Sequence, residues 1–288
     1  MEDFKQFLSK LQHKKLAMKR FKKGKNSGNY LTKKTGVSNE FNDYRVYQRG
    51  DDIRQIDWNV YGRTKKHYIK TYLDEHMHEV GIFLDYTNSM QTNEDKWKLA
   101  KLIMASISFV TLNNEDQLQY NFALNNQLFI KKAKGKRMSH HTFQEIIYSG
   151  EHIKDQKFFE QCHKTLPKTP QMIFIISDFL EPIDTLEKLV RQMTNQHSFL
   201  YFIQVLSKEE ISPTFVGDIQ LTDSETNKEL PISMNQALIE KYEHKLLAHN
   251  KKIELLVKKF GGNYLLCSTD QDPFELILKE FVRKEIFM

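Results

Sequence analysis

At 288 residues, with 40% hydrophobic and 12% aromatic side chains, the chain can bury the core of one large α/β domain, or of one domain with a small appendage. Its composition excludes a chain disordered throughout. The two cysteines, Cys162 and Cys267, lack metal-ligand spacing, and no stretch reaches the roughly 18 apolar residues of a membrane span; a cytoplasmic protein without a disulfide framework is expected. The formal charge is +6, but residues 1–34 carry +9 and the rest of the chain −3, so the basicity belongs to the first segment.

Residues 1–35 read as a basic helical arm and linker. Phe4, Phe7, Leu8 and Leu11 fall on one face of a helix expected over 3–20, which Gly24, Asn26, Ser27, Gly28 and Asn29 then break. A solvated helix is the expected state of this arm; an acidic protein, a lipid surface or nucleic acid is its alternative partner.

Residues 36–75 form a segment of their own character. Arg45, Arg49, Arg54 and Arg63 alternate with Glu40, Asp43, Asp51, Asp52 and Asp57, and Tyr44, Tyr47, Trp58 and Tyr61 lie between them. The RGDD turn places Gly50 where a positive φ is tolerated. Because the charges balance locally, a salt-bridge lattice holding this segment on the main domain is expected rather than an exposed docking surface. Residues 66–73 alternate as a strand. His76 and His78 would share one face of a strand, but two histidines without a third ligand predict an exposed edge strand, not a metal site.

Residues 76–288 alternate strands and helices. Val80, Ile82, Phe83 and Leu84 make a short apolar strand that ends in Asp85, followed by hydroxyls at Thr87 and Ser89. An apolar helix is predicted over 94–112, strands over Gln117–Leu124 and Gln127–Lys131 joined at Asn125-Asn126, and helices over 139–148 and 156–165. Gln171–Ser177 is a second buried strand ending in a carboxylate, Asp178. A helix over 184–195, a strand over Ser198–Leu206, a hairpin excursion over 211–233, a helix over 234–260 closed by Gly261-Gly262, a strand over Asn263–Cys267 and a helix over 272–284 complete the chain. This alternation predicts an α/β fold with a mostly parallel sheet and helices on both faces.

Asp85, Thr87 and Ser89, with Asp178 from a second strand end, are oxygen donors that suit a hard divalent cation such as Mg²⁺. Spacing alone equally allows Asp85 and Ser89 to cap the loop and the following helix.

Asp85-x-Thr87-x-Ser89 followed by Met90 resembles the first element of the metal-ion-dependent adhesion site of von Willebrand factor A domains, and Asp178 in IISDFL matches that family's distant aspartate. The resemblance implies Mg²⁺ ligation by Asp85, Thr87, Ser89 and Asp178 in a Rossmann-like fold. The threonine that such sites take from a third loop has no counterpart in YSGEHIKDQKFFEQ; Thr142 falls in a helix and Thr165 too late.

Across nearly the whole chain the sequence resembles a bacterial family called domain of unknown function 58. The signature is Glu40-Phe41 with DYRVYQRGDDIRQIDWNVYGRT, carrying Arg45, Tyr47, Gly50, Asp51, Asp52, Arg54, Asp57, Trp58 and Arg63. IISDF, VGDIQLTDSET and GGNYLLCSTD follow in order. The resemblance, to the short soluble branch, implies a non-enzymatic adaptor that works with a MoxR-type AAA+ ATPase on a client protein, with an Mg-dependent contact at the Asp85 loop. The alternatives are a Mg-dependent hydrolase or phosphotransfer enzyme, and a nucleic-acid binder acting through the basic arm. The first lacks a visible nucleophile–base pair, and the second lacks a recognisable nucleic-acid module.

Overall fold

The computed structural model describes residues 2–17, 41–72, 77–124, 127–149, 158–159, 162, 170–194, 199–215, 217–222 and 229–288. The chain divides into two compact units, Met1–Lys19 with His78–Met288, and Arg20–Met77.

The larger unit is built on a six-stranded sheet. Its strands are β3 (Glu79–Leu84), β4 (Gln117–Leu124), β5 (Gln127–Lys134), β6 (Met172–Ser177), β7 (Phe199–Leu206) and β10 (Asn263–Ser268), in the spatial order β10-β7-β6-β3-β4-β5. All neighbours run parallel except β4 and β5, an antiparallel hairpin that leaves β5 at one edge. The largely parallel α/β sheet expected from the alternation is therefore present. The first strand, β3, lies at the centre: the chain goes to β4 on one side, then crosses to β6 on the other. The order reverses between β3 and β6, which makes their carboxyl ends the switch point of the sheet.

Alternation of side chains across the pleat explains why the strands read as continuous apolar runs. Val80, Ile82 and Leu84 of β3 and Met172, Phe174 and Ile176 of β6 enter one core. Phe83, Ile173 and Ile175 enter the other. The first core is covered by α4 (Glu94–Asn113) and α5 (Met138–Tyr148), the second by α6 (Ile183–Thr194) and α8 (Gln236–Lys259). Ile239, Leu246, Ile253, Leu256 and Val257 of α8 are buried. A hairpin of β8 (Gly217–Thr222) and β9 (Glu229–Met234) forms a separate two-stranded sheet, as the excursion over 211–233 predicts.

Several expectations need correction. The first helix, α1 (Glu2–Leu11), is shorter than 3–20 and is not solvated: Phe7, Leu11 and Leu16 are buried in the first core. Its apolar stripe finds a partner in that core, and Leu16 bridges to Phe287 at the other end of the chain. Glu79 begins the central strand, not an edge strand, because β3 is flanked by β4 and β6. His78 precedes it, and both its backbone N–H and its ring Nδ1 meet Asp116 Oδ1, at 2.9 and 3.2 Å. His76, the Asn125-Asn126 turn and most of 156–165 lie outside the described residues; Phe158, Phe159 and Cys162 within that last stretch are helical and buried. Both cysteines are free and buried.

The α8-to-β10 connection sets one prediction. A Cβ on Gly262 would lie 2.7 Å from the Leu200 carbonyl oxygen and 2.8 Å from Val257 Cγ1. The Leu200 carbonyl cannot yield without shifting the backbone of β7, so Gly262→Ala should cost about 1–3 kcal/mol. A lowered urea midpoint with unchanged slope is the expected reading; an unchanged midpoint would refute the close packing.

Candidate functional site

The carboxyl ends of β3 and β6 carry the two aspartates that the sequence singled out, and they meet at one edge. The Asp85 N–H donates to the Ile176 carbonyl at 2.9 Å, extending the β3–β6 ladder by one step. Asp85 is wholly buried. Its Oδ2 accepts from Ser177 Oγ at 2.7 Å and its Oδ1 from the Thr87 N–H at 2.9 Å, a local turn of the kind aspartate favours. Burial first, and the charge of Asp178 second, push the Asp85 carboxyl up to about 7, against the opposing hydrogen bonds. Thr87 is the N-cap residue of the short helix α3 (Asn88–Gln91) but makes no side-chain cap; its hydroxyl shares a hydrogen bond with Ser89 Oγ at 3.0 Å. Tyr86, packed edge-on to Trp97 at 5.2 Å, anchors the loop in the core.

Asp178 is aimed by its neighbour. Phe179 has φ of +50°, a left-handed conformation rare for a bulky residue. Its ring enters the second core, stacked on Phe202 at 4.4 Å, while its N–H donates to Ser177 Oγ at 3.1 Å. The turn costs on the order of 1 kcal/mol, which the buried stacking offsets, and it leaves Asp178 at the rim. Gln204 Nε2 on β7 holds the Asp178 carbonyl at 2.6 Å, and His249 Nε2 on α8 lies 2.8 Å from the Phe179 carbonyl.

The group that completes the edge is a lysine. Lys96 sits in the first turn of α4, where side chains lean back toward the helix N-terminus and over the preceding loop. It is 0% exposed. Its Nζ lies 3.0 Å from Asp178 Oδ2, 2.7 Å from Glu210 Oε1 and 3.2 Å from the Ser89 carbonyl. An ammonium has three protons, and each has an acceptor here. Burial pushes the Lys96 amine down, but Asp178 and Glu210 outweigh it, so it is raised and stays charged. Glu210 belongs to α7 (Lys208–Ile211) and closes a capping box: Ser207 N–H donates to its Oε2 at 2.7 Å while its own N–H donates to Ser207 Oγ at 3.1 Å.

The smaller unit holds the arginine-rich signature. The strand β1 (Phe41–Val46) pairs antiparallel with β2 (Tyr68–Tyr72), and between them lie a 3-10 turn, Ile53–Gln55, and the helix α2 (Trp58–Thr64). Arg45 makes a bidentate pair with Asp51 at 2.7 Å for both bonds, across the turn in which Gly50 has φ of +112°. Asp52 caps the 3-10 turn through the Arg54 N–H. Asp57 caps α2 at the Asn59 and Val60 N–H groups and also accepts from Tyr44 Oη at 3.0 Å and pairs with Lys70 at 3.1 Å. Tyr61 stacks on His67 at 4.6 Å, with Trp58 and Tyr47 against the same ring. The ion pairs seen within the segment are Arg45–Asp51 and Lys70–Asp57, while Arg49, Arg54, Arg63 and Trp58 are exposed. Glu40 lies outside the described residues.

A family model described as "Protein of unknown function DUF58" matches residues 43–252, which span the signature from Asp43 onward, both aspartates and most of α8. The chain belongs to the DUF58 family. Relatives include the uncharacterized protein Rv1480 of Mycobacterium tuberculosis and the uncharacterized protein Mb1516 of Mycobacterium bovis. Each is 26% identical over 253 residues, covering 85% of this chain and 79% of the relative. Among solved structures, the chain is similar to an aerotolerance-related membrane protein from Bacteroides fragilis (TM-score 0.40, 12% identity, 72% of this chain and 98% of that one). BatB from Bacteroides thetaiotaomicron gives a TM-score of 0.39, with the same identity and coverage. No helix among the described residues of this DUF58 protein is long and apolar enough to cross a membrane.

The four oxygen donors expected to hold Mg²⁺ are close together, but they do not fit a divalent ion as they stand. Asp178 Oδ2 and the Ser89 carbonyl are taken by the Lys96 ammonium, and Asp85 by Ser177 and the Thr87 N–H. Two cations on one carboxylate, roughly 4 Å apart, one of them divalent, repel by about 8 kcal/mol at the effective dielectric of a protein edge. Among the described residues no group of three or more His, Cys, Asp or Glu is placed to hold a metal. Thr142 lies on α5 and Thr165 outside the described residues.

Sequence reading missed Lys96, Ser177 and Glu210. Lys96 was findable: it precedes Leu99, Ala100, Ile103 and Ile107 at the spacing of the buried face, so a helix facing the core carries its ammonium inward. Glu210 was half visible, since Ser207-x-x-Glu210 is a capping-box pattern. Nothing local marks its second role toward Lys96.

Proposed function

We propose that this DUF58 protein is a non-enzymatic protein-interaction adaptor that works with a MoxR-type AAA+ ATPase on a client protein, and that its main unit is von Willebrand factor A-like. The finer fold reading draws support from the sheet order, with the hairpin strand β5 at the edge, and from the Asp-x-Thr-x-Ser loop leaving the central strand at the switch point. The observation that carries the adaptor reading is the saturation of the edge. A general base or nucleophile must reach a substrate atom. Here Asp85 is 0% exposed and Lys96 has all three protons committed, so the ionisable groups serve to hold the edge in shape.

A rigid polar edge with an apolar neighbour is a contact surface. Leu180, two residues after Asp178, is 46% exposed, and its N–H lies 3.4 Å from Asp178 Oδ1. Capture of a purified MoxR-type ATPase from the same genome by the immobilised chain tests the reading. Wild type should retain it, and Leu180→Glu should weaken capture about tenfold or more, as for an apolar residue central to an interface. EDTA should change nothing. No retention by the wild type at micromolar concentration would end the proposal.

A further inference from the structure

The loop that Asp85-x-Thr87-x-Ser89 resembles takes a divalent ion, whereas this chain places the Lys96 amine beside it. We propose that the Lys96 ammonium is the resident cation of the β3–β6 edge: the native chain takes no divalent cation at Asp85, Thr87, Ser89 and Asp178, and loss of the lysine creates a site for one.

The ammonium's surroundings are those of a cation site. Its three neighbours are two carboxylate oxygens and a carbonyl oxygen, the hard donors that Mg²⁺ also takes. They come from three different loops, after β3, β6 and β7, so one charge ties the whole edge together. Each is held independently of the lysine. Glu210 is fixed by its capping box and by Tyr242 Oη, which donates to the Glu210 carbonyl at 2.7 Å. Asp178 is aimed by Phe179 and Gln204. The Ser89 carbonyl belongs to α3. Lys96 itself is set by the Asn93 cap of α4, whose Oδ1 accepts from its N–H at 3.0 Å.

A tethered ammonium differs from a metal in one functional respect. It cannot dissociate, so the edge keeps its shape at any concentration of divalent ions, and a partner's contact with it is blind to chelators. It also offers no open coordination position for a partner's carboxylate. The inference does not rest on the adaptor reading, because metal binding is measured on the isolated chain.

Mn²⁺ titration of the full chain, followed by electron paramagnetic resonance of the free ion, tests it on wild type, D178N, K96A and K96A/D178N. Wild type is expected to take up no Mn²⁺ that D178N abolishes. K96A, its fold checked by a cooperative melt, should gain one Mn²⁺ site at least about tenfold tighter than any in wild type, displaced by Mg²⁺ and lost in K96A/D178N. Stoichiometric wild-type binding that D178N removes would overturn the proposal. So would a folded K96A without the new site. Should K96A not fold, the comparison of wild type with D178N decides the question alone.

Discussion

Lys96→Met is expected to destabilise the protein by about 3–5 kcal/mol, the cost of removing one partner from a buried ion pair. Methionine keeps the apolar body of the buried lysine stem, so the loss reports the ammonium. What remains is Asp178, 2% exposed, facing Glu210 and the Ser89 carbonyl with no proton between them. The lysine's raised pKa gives the sign of the pH dependence: its contribution is present through neutral pH and fades only as pH rises above the ordinary 10.5. Urea unfolding at neutral pH measures the effect. A double variant, K96M/E210Q, should cost less than the sum of the single changes, since the two groups share one interaction. A loss below about 1 kcal/mol for K96M would mean that the edge does not depend on its cation.

Asp85→Asn should act in the opposite direction. The Asp85 carboxyl is raised from the ordinary 3.8 to about 7 by burial and by Asp178. A raised carboxyl disfavours ionisation in the folded state, so the native chain loses stability as pH rises from about 4 to about 7 and no more beyond. Asparagine cannot ionise, and its amide can still accept from the Thr87 N–H and meet Ser177 Oγ. Measured as the difference between variant and wild type, the gain of D85N should grow across that interval to about 4 kcal/mol at most and then level off. Chemical denaturation at a series of pH values reads it directly. A variant less stable than wild type at pH 8 would instead mean that the Asp85 charge is needed, as a metal ligand would be.

Most of the larger unit was legible because its strands and helices announce themselves locally. β3, β6 and β7 are apolar runs bounded by turns, and α4 and α8 carry continuous or periodic apolar faces that packing then buried. The smaller unit was read less well. β1 and α2 lie in a stretch rich in arginine, aspartate and tyrosine, where no apolar period exists, and side-chain pairs such as Arg45–Asp51 and the Asp57 cap stand in for a core. The solvated arm was misread because amphipathicity shows that a helix has an apolar face without showing what covers it.

By itself the sequence determined the α/β class, the element order, the DUF58 signature and the two aspartates at strand ends, all of which depend on residues near one another in the chain. The tertiary structure alone decided that β3 is central, that Asp85 and Asp178 flank the switch point, and that the cation between the loops is Lys96. The reason is distance along the chain: Lys96 meets Asp178 across 82 residues and Glu210 across 114. No local preference encodes such a meeting; it exists only once the strands have paired and the helix has been laid on the sheet.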